Sequence, residues 1–249
     1  MTPHCRYLLR LADTNLVLAQ RLGEWVGHAP ALEEDLGLAN VALDLLGQAR
    51  LLLAHAGELE GRGRDEDALA YLREESEYLN LTLVEQPNGD FGRTVVRQFL
   101  FDAWQNLQYQ SLTTSTDPKL AAIAAKAVKE SSYHLRYSSG WLVRLGDGTP
   151  ESRARVTDAL GRLWPFTSEL FDADDVDRAA AEAGIGPLPG ALATGWNATV
   201  DRVLAEATLA RPAPASFAWH GKQGRHSEHL GFLLAEMQSL HRAHPGATW

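Results

Sequence analysis

Apolar residues recur at helical spacing from near the first residue of the chain. Leu8, Leu11, Leu16, Leu18 and Leu22 predict a helix over 4–26, stopped by Gly27-His28-Ala29-Pro30. A second helix over 31–55 opens with Glu33, Glu34 and Asp35, which suit the positive end of a helix dipole, and continues as an Ala/Leu-rich stripe. Gly37 and Gly47 within it read as points of close helix contact. The polar, glycine-bearing stretch 57–67 reads as a loop, with a shorter helix over 66–80 and a turn at Pro87-Asn88-Gly89.

Two further long helices are predicted over 91–113 and 119–145, the latter started by Asp117 as a cap and Pro118 in the first turn. Thr149-Pro150 repeats that device ahead of a fifth helix ending near Phe171. An acidic patch (Asp172, Asp174, Asp175, Asp177) and a Gly/Pro-rich loop over 184–190 precede a helix to about 209 and a last one over 227–241. No stretch alternates with the period of a strand. The expected fold is therefore all-α: four long helices bundled with shorter ones in a single domain over 1–249.

Within this pattern some polar residues stand where apolar ones belong. Asp44 lies in Val41-Ala-Leu-Asp-Leu-Leu and Asp102 in Phe99-Leu-Phe-Asp-Ala-Trp, and a carboxylate inside an apolar stripe needs a partner. Lys126, Glu130 and His134 share one helix face at i, i+4, i+8 and can supply cations to such a layer. Inward carboxylates in a helical bundle raise the question of a di-iron centre, whose signature includes Glu-x-x-His on two helices. No Glu or Asp in the sequence has a His three residues later: Asp44 leads to Gly47, Asp102 to Gln105 and Glu130 to Tyr133. The layer is expected to be ion pairs and hydrogen bonds that set helix register.

A second cluster, His220, His226 and His229 with Glu228, has spacing that permits zinc, although histidines near a helix start more often cap or pair. A free-standing metalloprotein using that cluster, or a remodelled carboxylate site, is the alternative reading. Ser131 and Ser132 beside His134 are mid-helix and lack the turn that exposes a nucleophilic serine. Trp104, Tyr109, Trp141, Trp164 and Phe166 are expected in the core or at contacts between protomers.

Composition narrows the classes. With 32 acidic against 23 basic side chains and a net charge of -9, the chain would repel a phosphate backbone, so no nucleic acid is expected. One cysteine, Cys5, allows no internal disulfide and fits the reducing cytoplasm. Each apolar run is broken short of the ~20 residues a bilayer span needs, so no membrane is expected.

Several blocks taken together carry a family likeness: Arg21-Leu-Gly-Glu-Trp-Val-Gly-His-Ala-Pro-Ala, Ala42-Leu-Asp-Leu-Leu-Gly-Gln-Ala-Arg, Leu83-Val-Glu-Gln-Pro-Asn-Gly-Asp-Phe and Lys126-Ala-Val-Lys-Glu-Ser-Ser-Tyr-His-Leu-Arg. It continues through Leu163-Trp-Pro-Phe-Thr-Ser-Glu-Leu-Phe-Asp-Ala-Asp, Gly224-Arg-His-Ser-Glu-His-Leu-Gly and the closing Pro245-Gly-x-x-Trp. Over nearly its whole length the chain resembles the C subunits of phenylacetyl-CoA (ring-1,2-) epoxidase complexes. The resemblance implies a ferritin-like, non-catalytic structural subunit in phenylacetate degradation. Its partner would be a homologous catalytic A subunit holding the di-iron centre, with no cofactor in this chain. It also implies that Asp44, Asp102, Lys126, Glu130 and His134 lie where the catalytic relative has iron. Acyl-CoA contact through helix-start amides at Glu33, Glu34, Asp35 and Leu36 or at Asp175, Val176 and Asp177, or through Lys222 and Arg225, and homodimerisation are left open by it.

Overall fold

The computed structural model describes residues 1–214 and 217–247; Trp249 of the closing Pro-Gly-x-x-Trp block lies outside the described residues. The chain divides into two compact units, residues 1–87 with 220–249, and residues 88–219. Both are helical, and no strand occurs among the described residues. The all-α class with four long helices, as in ferritin-like bundles, is what the pattern predicts.

The first unit is built on α1 (Pro3–Trp25) and α2 (Leu32–Glu60). Thr2 caps α1 by accepting from the Cys5 amide, and Pro3 occupies the first turn, where its missing N–H costs nothing. The Asp35 carboxylate closes the turn into α2 by accepting from the amides of Gly27 and Ala29. The Cys5 thiol donates to the Ala56 carbonyl at 3.4 Å, so the start of α1 lies beside the end of α2 and the pair is antiparallel. Most of α1 is buried, including Arg10, Asp13, Thr14, Asn15 and Arg21.

α2 runs past the predicted end. Gly57 is helical and buried because the Arg64 carbonyl crosses where a Cβ would stand, 2.3 Å away, and Gly61 at φ +68° ends the helix in the left-handed region. Gly47 is a correction in the other direction: nothing described lies within 4 Å of its Cβ position. The short α3 (Glu66–Tyr71) and α4 (Thr82–Glu85) flank a segment whose buried residues include Tyr78, Leu79, Asn80 and Leu81. Only the first six residues of the helix predicted over 66–80 are α-helical.

The second unit pairs α5 (Phe91–Leu112) with α6 (Pro118–Gly146). Phe91 meets Trp141 edge to face at 5.1 Å, while the Asn106 amide donates to Ser131 and Ser132, which makes this pair antiparallel too. Around it lie α7 (Pro150–Leu163), α8 (Asp175–Glu182) and α9 (Ala193–Glu206). The predicted fifth helix stops at Leu163, where Trp164-Pro165-Phe166 tightens into a 3-10 turn because proline cannot continue the ladder. The buried Trp196 of α9 donates its indole N–H to the Leu100 carbonyl at 3.0 Å.

α8 was legible only as an acidic patch. Asp174 and Asp177 form a reciprocal capping box there, so two of the four acids serve to start a helix.

Candidate functional site

In the second unit Asp102 and His134 are fully buried. The Asp102 carboxylate accepts from the Gln98 amide at 2.7 Å through one oxygen and from the Ser138 hydroxyl at 2.7 Å through the other. Burial pushes its pKa up to about 6, against the opposing effects of the His134 charge and those two hydrogen bonds. Lys126 lies at the surface, 69% exposed, and pairs with the half-buried Glu130 at 3.5 Å. Three residues on one helical stripe thus grade from solvent to core along α6. Asp44 belongs to the first unit, half-buried on α2.

The first unit contains two buried carboxylate networks that periodicity did not single out. Asp13 of α1 and Arg73, both buried, form a two-pronged ion pair with one contact at 2.9 Å, and Asp13 also accepts from the Leu79 amide at 2.9 Å. The Arg73 guanidinium lies over the Tyr78 ring at 4.3 Å. Burial opposes the Arg73 charge, but Asp13, with smaller contributions from Tyr78 and Glu77, outweighs it and the net shift is upward.

The second network centres on Glu85. One of its oxygens faces His226 Nδ1 at 2.5 Å and accepts from the Asn80 amide at 2.9 Å. Its other oxygen accepts from the Ser227 backbone N–H at 2.8 Å and hydroxyl at 2.6 Å. Its carbonyl accepts from Arg21 Nε at 2.9 Å and Nη2 at 2.7 Å. Four contacts saturate the buried carboxylate, and Ser227 is the cap residue of α10 (Glu228–Ala243), so Glu85 holds the start of that helix.

His226 Nε2 faces the Tyr78 carbonyl at 2.9 Å, and a carbonyl can only accept, so that nitrogen carries a proton. Burial lowers the His226 pKa, but the Glu85 hydrogen bond and charge outweigh it and the net shift is upward. Both ring nitrogens face acceptors, so neither is open to a metal. That removes His226 from the zinc set of His220, His226 and His229; His220 is exposed, and the His229 carbonyl accepts from Arg21.

A carboxylate-bridged di-iron centre needs several carboxylates and two histidines with open oxygen and nitrogen positions. Around Asp102 stand an amide, a hydroxyl and one imidazole, and both oxygens of Asp13 and of Glu85 are taken by donors. These donor sets do not fit that centre.

The remaining predicted contact residues fall into place individually. Glu33 and Leu36 are exposed, Glu34 is half-buried, and Asp35 is engaged in the turn described above. Asp175 is exposed and paired with Arg178 at 2.6 Å, while Val176 and Asp177 are buried in the first turn of α8. Lys222 is half-buried, its carbonyl accepting from Arg10 at 3.1 Å, and Arg225 is exposed.

Comparison with known proteins settles the relationship. The pattern of the family described as phenylacetic acid catabolic protein matches residues 1–249. The chain belongs to that family. It is 55% identical over 243 residues, 98% of each chain, to the C subunit of the 1,2-phenylacetyl-CoA epoxidase of Escherichia coli (strain K12). Three of the blocks that carry the family likeness meet at Glu85: Arg21 from the first, Glu85 from the third, and His226 with Ser227 near the carboxyl end. In this family member those blocks are a structural staple. Sequence reading missed its hub, although a glutamate ending the apolar run Leu81-Thr-Leu-Val was the available signal.

Proposed function

We propose that this chain is the non-catalytic structural subunit of a multicomponent 1,2-phenylacetyl-CoA epoxidase in phenylacetate degradation. It would work in the cytoplasm as one ferritin-like domain and bind a homologous catalytic A subunit that carries the di-iron centre. The relationship to the Escherichia coli epoxidase protein supports the complex, and the engaged carboxylates of Asp13 and Glu85, with the sparse ligand set around Asp102, support placing the metal in the partner. The buried layer around Asp102 and His134 then stands in for a metal site as a register-setting contact.

The observation that carries the reading is the shape of α2. One face, including Leu38, Val41, Leu45 and Leu52, is buried. Leu32, Leu36, Leu43 and Leu46 are exposed, and helical geometry places them within about 80° of one another. Gly47 beside them has open space at its Cβ position, which lets another backbone approach. By length and composition α2 could cross a membrane, yet it is apolar because it has two apolar faces, one buried and one exposed. An exposed leucine stripe of this kind suits an obligate interface between protomers.

The test is co-expression with the catalytic partner and affinity purification of a Leu36→Glu/Leu43→Glu double variant. The variant should keep its helical circular dichroism and melting temperature while losing most of the co-purified partner. Partner recovery at the wild-type level would overturn the assignment of this face, and sedimentation of the isolated chain would report homodimerisation through it.

A further inference from the structure

The second unit holds a cluster of arginines that the role above does not use. An open cavity of about 410 Å³ lies between the start of α5 and one face of α7, lined in part by Arg93, Arg155 and Arg162 with Asp90 and Asp158. Three guanidinium groups face two carboxylates there, in a chain whose net charge is -9. Two of the cations have partners: Arg155 pairs with Glu151 at 2.6 Å and reaches Asp90 at 3.5 Å, and Arg162 pairs with Asp158 at 2.6 Å.

Arg93 is different. Its Nε is buried and has no hydrogen-bond partner among the described residues. Burial holds its pKa below the ordinary arginine range, with the nearby Arg162 charge adding to the effect and the Asp158 and Asp90 charges opposing it. Its stem is also fixed in place: Gly89, at φ +65°, leaves room for the Arg93 Cδ, which would stand 2.7 Å from any added Cβ. A half-buried, prepositioned guanidinium with no ion-pair partner among the described residues is free to take a ligand from the cavity it lines.

We propose that this cavity binds a small oxyanion, a phosphate or carboxylate group, on Arg93 with Arg162 as the second cation. A planar guanidinium matches either group with paired N–H···O bonds. The site lies within one unit of this chain, so it is independent of whether the chain serves the epoxidase.

The full-length chain is titrated calorimetrically, in buffer low in chloride, with inorganic phosphate and separately with acetate. One or both should give saturable 1:1 binding, and the anion preferred identifies the ligand head as a phosphate ester or a carboxylate. Arg93→Gln should weaken binding by about tenfold or more, the loss of one charge-assisted contact. Arg162→Gln, at an exposed position where the fold is not at risk, should weaken it by about threefold to tenfold and keeps the test valid if Arg93→Gln does not fold. Absence of saturable binding by both anions, or variants that bind as well as the wild type, would overturn the proposal.

Discussion

Replacing Asp102 by asparagine isolates the energetic effect of one buried charge. Asp102 has a pKa of about 6 in the folded chain against 3.8 for the free side chain, because burial disfavours its ionised form. A carboxyl raised in this way favours folding while protonated, so its contribution is complete below the unfolded value and is lost as pH rises through the folded one. Two units on the pH scale at about 1.4 kcal/mol each make the loss about 3 kcal/mol, roughly two-fifths of it between pH 5 and 7. Asparagine does not titrate, so Asp102→Asn should gain about 1 kcal/mol on the wild type over that interval, whatever it loses at all pH values through altered bonds to Ser138 and Gln98. Urea unfolding followed by circular dichroism at pH 5, 6, 7 and 8 measures this difference directly. The same substitution in a His134→Gln background should show a wider gap, since the His134 charge lowers the Asp102 pKa. Parallel wild-type and variant profiles would refute the reasoning, and a gap of opposite sign would mean that His134 outweighs burial.

Two further substitutions probe the first unit. Glu85→Gln should cost about 3–5 kcal/mol by stranding His226 and the Ser227 donors. Because the His226 pKa is raised, its pairing energy is complete below the histidine's unfolded value and fades above the folded one; thermal melts should therefore show a larger deficit at pH 6 than at pH 9. Arg73→Met should likewise cost about 3–5 kcal/mol, and Asp13→Leu/Arg73→Met together should cost less than the sum of the single changes, a coupling that a double-mutant cycle in urea reads out.

Helical periodicity located the four long helices to within a few residues because their buried faces repeat at the period of the backbone itself. It erred where chain geometry decides: it stopped α2 short, since Gly61 in a left-handed turn ends that helix and not the glycine at 57, and it overran α7, which Pro165 ends early. Asp102 was legible because it interrupts an apolar run, and His134 because it shares a helix face with Lys126 and Glu130. Lys126 lies on the same stripe but at the solvent end of it, which spacing alone does not encode. Asp13, Arg73 and Glu85 were hidden because their partners come from distant segments, Asp13 from Arg73 and Glu85 from His226, and single-chain periodicity is blind to such pairings.

The central claim is that this chain supports a metal-bearing partner without holding the metal. The most direct measurement is elemental mass spectrometry of the purified chain after anaerobic incubation with ferrous iron, alone and co-expressed with its catalytic partner. The expected result is no stoichiometric iron in the isolated chain, with iron and epoxidase activity appearing only in the co-purified complex. About two iron ions per isolated chain, the complement of a carboxylate-bridged centre, would contradict it.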